Sequence, residues 1–411
     1  MFISLFLKEC RQMLKCLTYY VIIACMVLFY VTQMSEMKIV EKPEPGQKDY
    51  GITYSSDEKV IMNNTVQFLV LEYVQNSYVT YPIGFYKTVR LNKEKQAKME
   101  EIAIEVTGLS AKKLKTLVEE YLQTVTTYVN PDAITVTVDE KLNFERFQEL
   151  MKQADKLLGG GSKYSKSFMK SNAIVPMTYE QALAEYNDIV EKDHLSGTYA
   201  RLFCDYMGLM LGILPVFIAV TRGLRDRRAR ASEVIYSRKA SSFHIVMSRY
   251  LAMLVMLLIP ILLISIIPTV ECLYFSASEG IAVDYFAFIK YILGWLLPTV
   301  MISLSVGVLL TEVTDTAIAI IIQGIWWFIN LFMGAANMVG DYGWNMMPRH
   351  NSTGFYQVFH DNFHVLVTNR LTYEAIAVIL ALSAVMVYEM KRRGRLRIGK
   401  IHSNRNSESK V

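Results

Sequence analysis

Six long apolar runs punctuate the chain, at 16–34, 202–220, 250–275, 285–310, 317–339 and 373–390. A bilayer core takes roughly 20 mostly apolar helical residues, so each run predicts one transmembrane helix. Ahead of the first run, MFISLFLKECRQMLK groups Phe2, Leu5, Phe6 and Met13 at helical spacing, with Lys8, Arg11 and Lys15 elsewhere. That pattern predicts an amphipathic helix lying in the membrane interface. The first run is followed by YVTQMSEM, which offers no small-x-small cleavage site, so it reads as an uncleaved anchor and not as a signal peptide.

Between the first and second runs the pattern changes. VEKPEPGQ (40–47) predicts an extended linker, and the periodicity over 92–125 predicts a helix broken near Gly108, with Ser110 capping its second half. AITVTVDE (133–140) alternates like a short strand. NFERFQELMKQADKLL predicts a helix started by Asn143, GGGSKYSKS (159–167) a flexible loop, and MTYEQALAEYNDIVEKD (177–193) a further helix. The expected fold is an α-helical polytopic membrane protein with six transmembrane helices, plus a mostly helical α+β extracellular domain. Its divisions are 1–34 (interfacial helix and first span), 35–200 (extracellular domain), 201–390 (spans two to six, with a cytoplasmic loop at 222–249) and 391–411 (a basic tail).

Composition agrees. Of 411 residues 52% are hydrophobic and only 20% charged, too apolar for an ordinary soluble enzyme and too charged for membrane helices alone. The 35–200 segment holds 20 Lys/Arg against 24 Asp/Glu, whereas the remainder holds 23 against 14, so the basic excess belongs to the membrane part. Counting Lys and Arg in the short connections sets the orientation. With both termini cytoplasmic, nineteen fall inside and two, Arg349 and Arg370, outside.

Candidate chemistry is sparse. The five cysteines lie in or beside apolar runs with no metal-ligand spacing, which argues against a zinc site or a disulfide framework. GGGSKYSKS resembles a phosphate-binding loop only in its glycines, because it lacks the GxxxxGK[ST] spacing between strand and helix. FHDNFH sets His360 and His364 at helical i, i+4 spacing, open to a metal, but the surrounding aromatics favour an interfacial helix. Asp205 and Lys290 are ionisable residues near span ends and read as snorkelling to the interface, with a pathway-lining role as the alternative. Gly208 and Gly212 form a GxxxG pattern suited to close helix packing, and Pro215, Pro260, Pro268 and Pro298 are expected to kink their helices.

The most informative stretch is RGLRDRRARASEVIYSRKASSFHIVMSRYL (222–251), which carries eight Lys or Arg between two apolar runs. No nucleic-acid recognition motif accompanies it. Arg222, Arg225, Arg227 and Arg228 read as positive-inside residues facing anionic lipid. The following ARASEVIYSRKASSFHIV sets Val234, Ile235 and Phe243 among small and charged residues, with Glu233 as a lone acid, the pattern of a short helix offered to a protein groove.

This loop, the six spans and the amphipathic start resemble the permease subunits of ABC-2 type ABC transporters, whose span 2–3 loop holds a coupling helix often worded T-x-E-x-L-L-x-x-P-V-S. Glu233 falls on the family's acid, Ile235 and Tyr236 on its apolar pair, and Lys239 where many members have proline. The resemblance covers the spans; the 35–200 domain is similar only in position to extracellular insertions of such permeases. It implies a non-enzymatic transport subunit with Arg230, Ser232, Glu233, Ile235, Tyr236, Ser237, Arg238 and Lys239 at the coupling surface. It implies partners as well: two copies of a separate ATPase that carry the ATP and Mg, and a second permease chain, identical or related. Asp205, Gly208, Gly212, Gln323 and Trp326 are then expected on the pathway or dimer side. The rival reading is a membrane-anchored sensor or scaffold whose extracellular domain binds a cell-envelope partner without transport.

Overall fold

A computed structural model of the chain describes residues 1–34, 39–82, 85–124, 136–333 and 339–395. The chain is mostly helical with few strands and divides into two compact units. The first comprises Met1–Glu41, Glu185–Leu331 and Val339–Val411; the second is Lys42–Ala184 with Phe332–Met338.

The first unit is a helical bundle. Five of its helices are long and apolar enough to cross a membrane: Leu17–Met34, Ser196–Arg228, Ser242–Glu279, Ala287–Thr314 and Phe363–Arg392. The run read as a fifth span forms a shorter helix, Ile318–Met333, of 16 residues. At 1.5 Å per residue it is about 24 Å long, less than the roughly 30 Å of a hydrocarbon core. Residues 334–338 of that run lie outside the described residues, as do 396–411 of the basic tail.

Proline and glycine shape the bundle. Pro215 has no N–H to give the carbonyl four residues back, and the second long helix breaks there into Ser196–Leu211 and Leu214–Arg228. The freed carbonyls find side-chain donors. Trp327 Nε1 donates to the Leu209 carbonyl at 2.8 Å and Gln323 Nε2 to the Gly212 carbonyl at 2.6 Å. By contrast, Pro260 and Pro268 lie within an uninterrupted 38-residue helix, Ser242–Glu279.

Leu214–Arg228 and Leu297–Thr314 cross closely at two glycines. A Cβ on Gly307 would sit 2.6 Å from Ala219 Cβ, and one on Gly223 2.7 Å from Thr311 Cγ2. These two glycines, rather than the GxxxG pair, let the backbones approach. Gly208 meets Leu296 at ordinary contact distance, whereas a Cβ on Gly212 would run into Met347 Sδ and come within 2.9 Å of the Trp327 ring, both side-chain groups that can shift. All are contacts within this chain.

The second unit packs its helices around Val66, Leu69, Met99, Ala103, Val106, Leu114, Phe147 and Met151. The break near Gly108 occurs as expected, between Lys93–Thr107 and Ala111–Thr124, with Gly108 at φ +66°. Asn143 caps Phe144–Leu158 by accepting the Arg146 N–H at 2.8 Å. Two short antiparallel ladders, Ile52–Tyr54 with Ile174–Pro176 and Tyr78–Thr80 with Lys87–Val89, were not legible in the pattern. The strand expected at 133–140 is absent over 136–140, and 133–135 lie outside the described residues.

The glycine loop is pinned, contrary to the expectation of flexibility. Ser162 donates its N–H and hydroxyl to Asp155, and the buried Tyr164 hydroxyl donates to Glu72 at 2.5 Å. The carbonyl of Gly161, at φ +69°, accepts the Tyr81 N–H at 2.6 Å, and a Cβ there would sit 2.8 Å from the Tyr81 carbonyl oxygen. Only glycine fits. Burial raises the Glu72 carboxyl above its ordinary range, opposed by the Tyr164 hydrogen bond and by Lys163.

Candidate functional site

The basic segment folds into three pieces. The Leu214–Arg228 helix ends in Arg225, Arg227 and Arg228, cations that suit a helix C-terminus. The chain turns with Arg230 at φ +51°, and Ser232–Tyr236 forms a five-residue helix. Ser241 then caps Ser242–Glu279 by accepting the His244 N–H at 3.2 Å.

Within the short helix the side chains divide between two faces. Glu233, Val234, Ser237, Arg238 and Lys239 are exposed, as is Arg230. Ile235 and Tyr236 turn inward against Ile245, Val246 and Ala384, and the Tyr236 ring meets Tyr388 edge-on at 5.4 Å. Burial pushes the Tyr236 hydroxyl up from its ordinary range, assisted by Glu312 and Asp315. Ile235 and Tyr236, expected at the coupling surface, are thus half-buried on the inner side of the short helix. Val234, 59% exposed, is the apolar residue on the surface, with Phe243 at 49%. The side chain of Ser232 is outside the described set.

The inner face is tied to the last helix by one side chain. Arg392 donates to three carbonyls of the segment: Tyr236 at 2.9 Å, Ala240 at 2.7 Å and Arg238 at 2.6 Å. The planar guanidinium reaches them from three separate nitrogens, Nε, Nη1 and Nη2, a spread that the single nitrogen of a lysine does not reproduce. Ser242 also donates its hydroxyl to Glu389 on the same helix.

A second set of contacts ties in the N-terminal helix, Phe2–Met13. Glu9 accepts two hydrogen bonds from Arg222, both 2.6 Å, Arg222 reaches Asp226 at 3.2 Å, and Arg249 reaches Asp226 at 2.5 Å. Nearby, Lys391 pairs with Asp315 at 2.7 Å and Arg227 with Asp315 at 3.4 Å. Arg222 and Arg227 thus meet protein acids instead of only lipid, which revises the lipid-facing expectation for them. Arg225 donates to Gln12 at 3.1 Å, and Arg228 is exposed. The arrangement is a small exposed helix hydrogen-bonded to the Phe363–Arg392 helix, beside a separate cluster of ion pairs that ties the N-terminal helix to Leu214–Arg228 and Ser242–Glu279.

Towards the other end of the bundle, Asp205 does not snorkel. It is buried and accepts N–H groups from His350 at 2.9 Å and Asn351 at 2.7 Å, pinning the irregular segment after residue 339. His350 completes the arrangement: the Tyr342 hydroxyl donates to Nδ1 and Nε2–H donates to the Gly354 carbonyl at 2.8 Å, the pattern of a neutral ring. Burial, then the Arg201 charge, lowers its pKa to about 4. Gln323 is buried against Gly212, and Trp326 lies half-buried beside Tyr373 at 6.2 Å between ring centres. Lys290 is exposed and pairs with Asp284 at 2.6 Å, in keeping with its reading as an interfacial residue.

Three buried polar groups in this region escaped the sequence reading. Arg201 forms a two-pronged pair with Asp193 at 3.1 and 2.7 Å, with Thr198 bonded to both. Asn369 and Arg370 donate to the carbonyls of residues 345 and 346. Arg370 had been counted in a loop, whereas the last helix starts ten residues before the apolar run, at Phe363. His360 and His364 lie on separate helices, Tyr356–Asp361 and Phe363–Arg392, divided at Asn362, and no metal-binding cluster is found among the described residues.

Compared with known proteins, the chain matches no family model, no curated protein and no solved structure.

Proposed function

We propose that this chain is the membrane-spanning permease subunit of an ATP-driven ABC transporter, working as an exporter and energised by a separate ATPase that docks on Ser232–Tyr236. In this reading Ile318–Met333 also spans the membrane, as the fifth of six spans, both termini are cytoplasmic, 35–200 is outside the cell, and the membrane is a bacterial plasma membrane. Two ATPase subunits supply the ATP and Mg, and a second permease chain, identical or related, completes the assembly. The rocking of the spans follows from the mechanics: an ATPase pushing on Glu233, Val234, Arg238 and Lys239 drives the segment against the last helix through Arg392.

The observation that carries this reading is the exposed, mixed-charge face with Val234 at its centre, hydrogen-bonded from behind to the Phe363–Arg392 helix. A loop that only faced lipid gains nothing from an exposed acid beside an exposed valine, or from rigid coupling to another span. The test is a photocrosslinking amino acid at position 234 in native membranes. The expected adduct is an ABC ATPase of the producing cell. Adducts with lipid alone, or with an envelope protein and no ATPase, would move the sensor or scaffold reading ahead.

A further inference from the structure

The fourth long helix does not wind uniformly. Between Ala287–Tyr291 and Leu297–Thr314 it passes through a π-helical turn, Ile292–Leu296. Such turns widen a helix and occur frequently at functional sites. Gly294 within it faces open space, with nothing within 4 Å of a Cβ built there. Facing the turn is the stretch of the last helix from Phe363 to Glu374, and between them opens a cavity of about 430 Å³, within the range of small-molecule sites.

Its walls are apolar and aromatic, chiefly Tyr291, Trp295, Leu366, Val367 and Leu371. Three charged side chains join them: Lys290, Arg370 and Glu374. Arg370 is buried, and its hydrogen bonds go to neutral oxygens, including the Trp295 carbonyl at 3.0 Å, Thr299 Oγ1 at 2.9 Å and the Met346 carbonyl at 3.1 Å. No ion pair of Arg370 is found among the described residues. The guanidinium is held in place with no carboxylate in contact, Glu374 acting on it only from a distance, and in a low-dielectric setting such a charge attracts a further anion. Lys290 is 65% exposed despite its contact with Asp284, which leaves ammonium donors available. The lining carries two cations against one acid.

We propose that this cavity seats one anionic phospholipid of the bilayer. The phosphate accepts hydrogen bonds from Lys290 in the field of Arg370, and one acyl chain runs over Gly294, Val367 and Leu371. Tyr291 and Phe363 form the aromatic rim typical of the headgroup level. Arg370 lies about 10 Å along the helix from Phe363, so its charge sits just below that level. The site uses no residue of the 222–249 segment and stands whether or not an ATPase docks there.

The test uses the full chain in phosphatidylcholine vesicles containing phosphatidylglycerol with a mid-chain diazirine, with a diazirine phosphatidylcholine as comparison. After photolysis, adducts are mapped by peptide mass spectrometry. Adducts are expected to concentrate on 287–296 and 363–374. Phosphatidylglycerol should be preferred about fivefold, the weight of one lysine facing an anionic headgroup. Gly294→Trp, which fills the cavity, should lower them about tenfold; if it fails to insert, Gly294→Leu replaces it. Lys290→Glu, at an exposed position, should abolish the preference for phosphatidylglycerol while leaving acyl-chain adducts. Adducts spread evenly over all the long helices, equal labelling by both lipids in the unaltered chain, labelling untouched by filling the cavity, or crosslinks from this face to a second copy of the chain would each overturn the proposal.

Discussion

Replacing Arg392 by alanine removes three hydrogen bonds from the carbonyls of Tyr236, Arg238 and Ala240 at once, without touching an exposed side chain of the Ser232–Tyr236 helix. Hydrogen bonds to a charged group contribute about 1.5–3 kcal/mol each when buried and less when water competes. Two of these three are half-buried and one is exposed. A total of about 2 kcal/mol of local stabilisation is therefore at stake, which corresponds to roughly thirtyfold in the opening equilibrium of the segment. The short helix holds itself with few bonds, Ile235 N–H to the Ala231 carbonyl and Ser237 N–H to the Glu233 carbonyl among them. Its amides should accordingly exchange about thirtyfold faster in Arg392→Ala, measured by hydrogen–deuterium exchange on the purified chain. Peptides from 340–355 should be unchanged. Arg392→Lys should lie near the alanine variant, since one nitrogen does not span the three carbonyls that Nε, Nη1 and Nη2 reach separately. Exchange at 232–240 identical to that of the unaltered chain would refute the claim that the last helix holds this segment, and a fully functional lysine variant would show that charge rather than fork geometry matters.

Three further outcomes are expected. Arg222→Met takes from Glu9 its two shortest hydrogen bonds and leaves Arg249 as the remaining cation beside Glu9 and Asp226, at a cost of about 1–2 kcal/mol, and trypsin should then cut faster at Lys8 and Arg11; unchanged cutting would mean the N-terminal helix is held by its apolar face alone. Gly161→Ala forces a Cβ against the Tyr81 carbonyl at positive φ, so the second unit should lose about 2 kcal/mol, read as a lower melting temperature of the Lys42–Ala184 region by exchange, whereas Gly159→Ala, with open space around it, should lose less. His350 is held neutral, its folded pKa of about 4 lying below the ordinary 6.5. The stability it contributes is complete above 6.5 and is lost as the pH falls towards 4, on the order of 1 kcal/mol by pH 5.5. The groups facing it are Arg201, Asp193, Tyr342 and Asp205, and the acid loss of melting temperature should shrink in His350→Gln, which keeps the backbone N–H that Asp205 accepts; an equal loss in both would assign it elsewhere.

The long apolar runs were legible because hydrocarbon selects for them, residue after residue, without reference to any partner. Where a helix begins was less so. Phe363 to Thr372 contains Asn369 and Arg370, which hydropathy counts as loop residues; only the carbonyls of residues 345 and 346, far away in sequence, make them compatible with a buried helix. The same reason hid the division of the short helix. Val234, Ile235 and Tyr236 look alike in a five-residue helix, and the position of Tyr388 decides which two turn inward. Close helix approach depends on the opposite surface as well, so Gly223 and Gly307 carry it although the Gly208-x-x-x-Gly212 spacing stands out. The glycine run at 159–161 reads as loose until Asp155, Glu72 and Tyr81 are seen to hold its continuation.

The central claim is that the outward face of Ser232–Tyr236 binds an ATPase. Its most direct test is purification of the C-terminally tagged chain from native membranes, alongside two double variants. Glu233→Lys with Val234→Asp changes only exposed side chains; Ile235→Val with Tyr236→Phe changes the inward pair mildly. A stoichiometric ABC ATPase that accompanies the unaltered chain and the inward variant, and is lost from the outward variant while that chain still inserts, is the result expected. Absence of any ATPase from the unaltered chain, or its retention by the outward variant, would contradict the account.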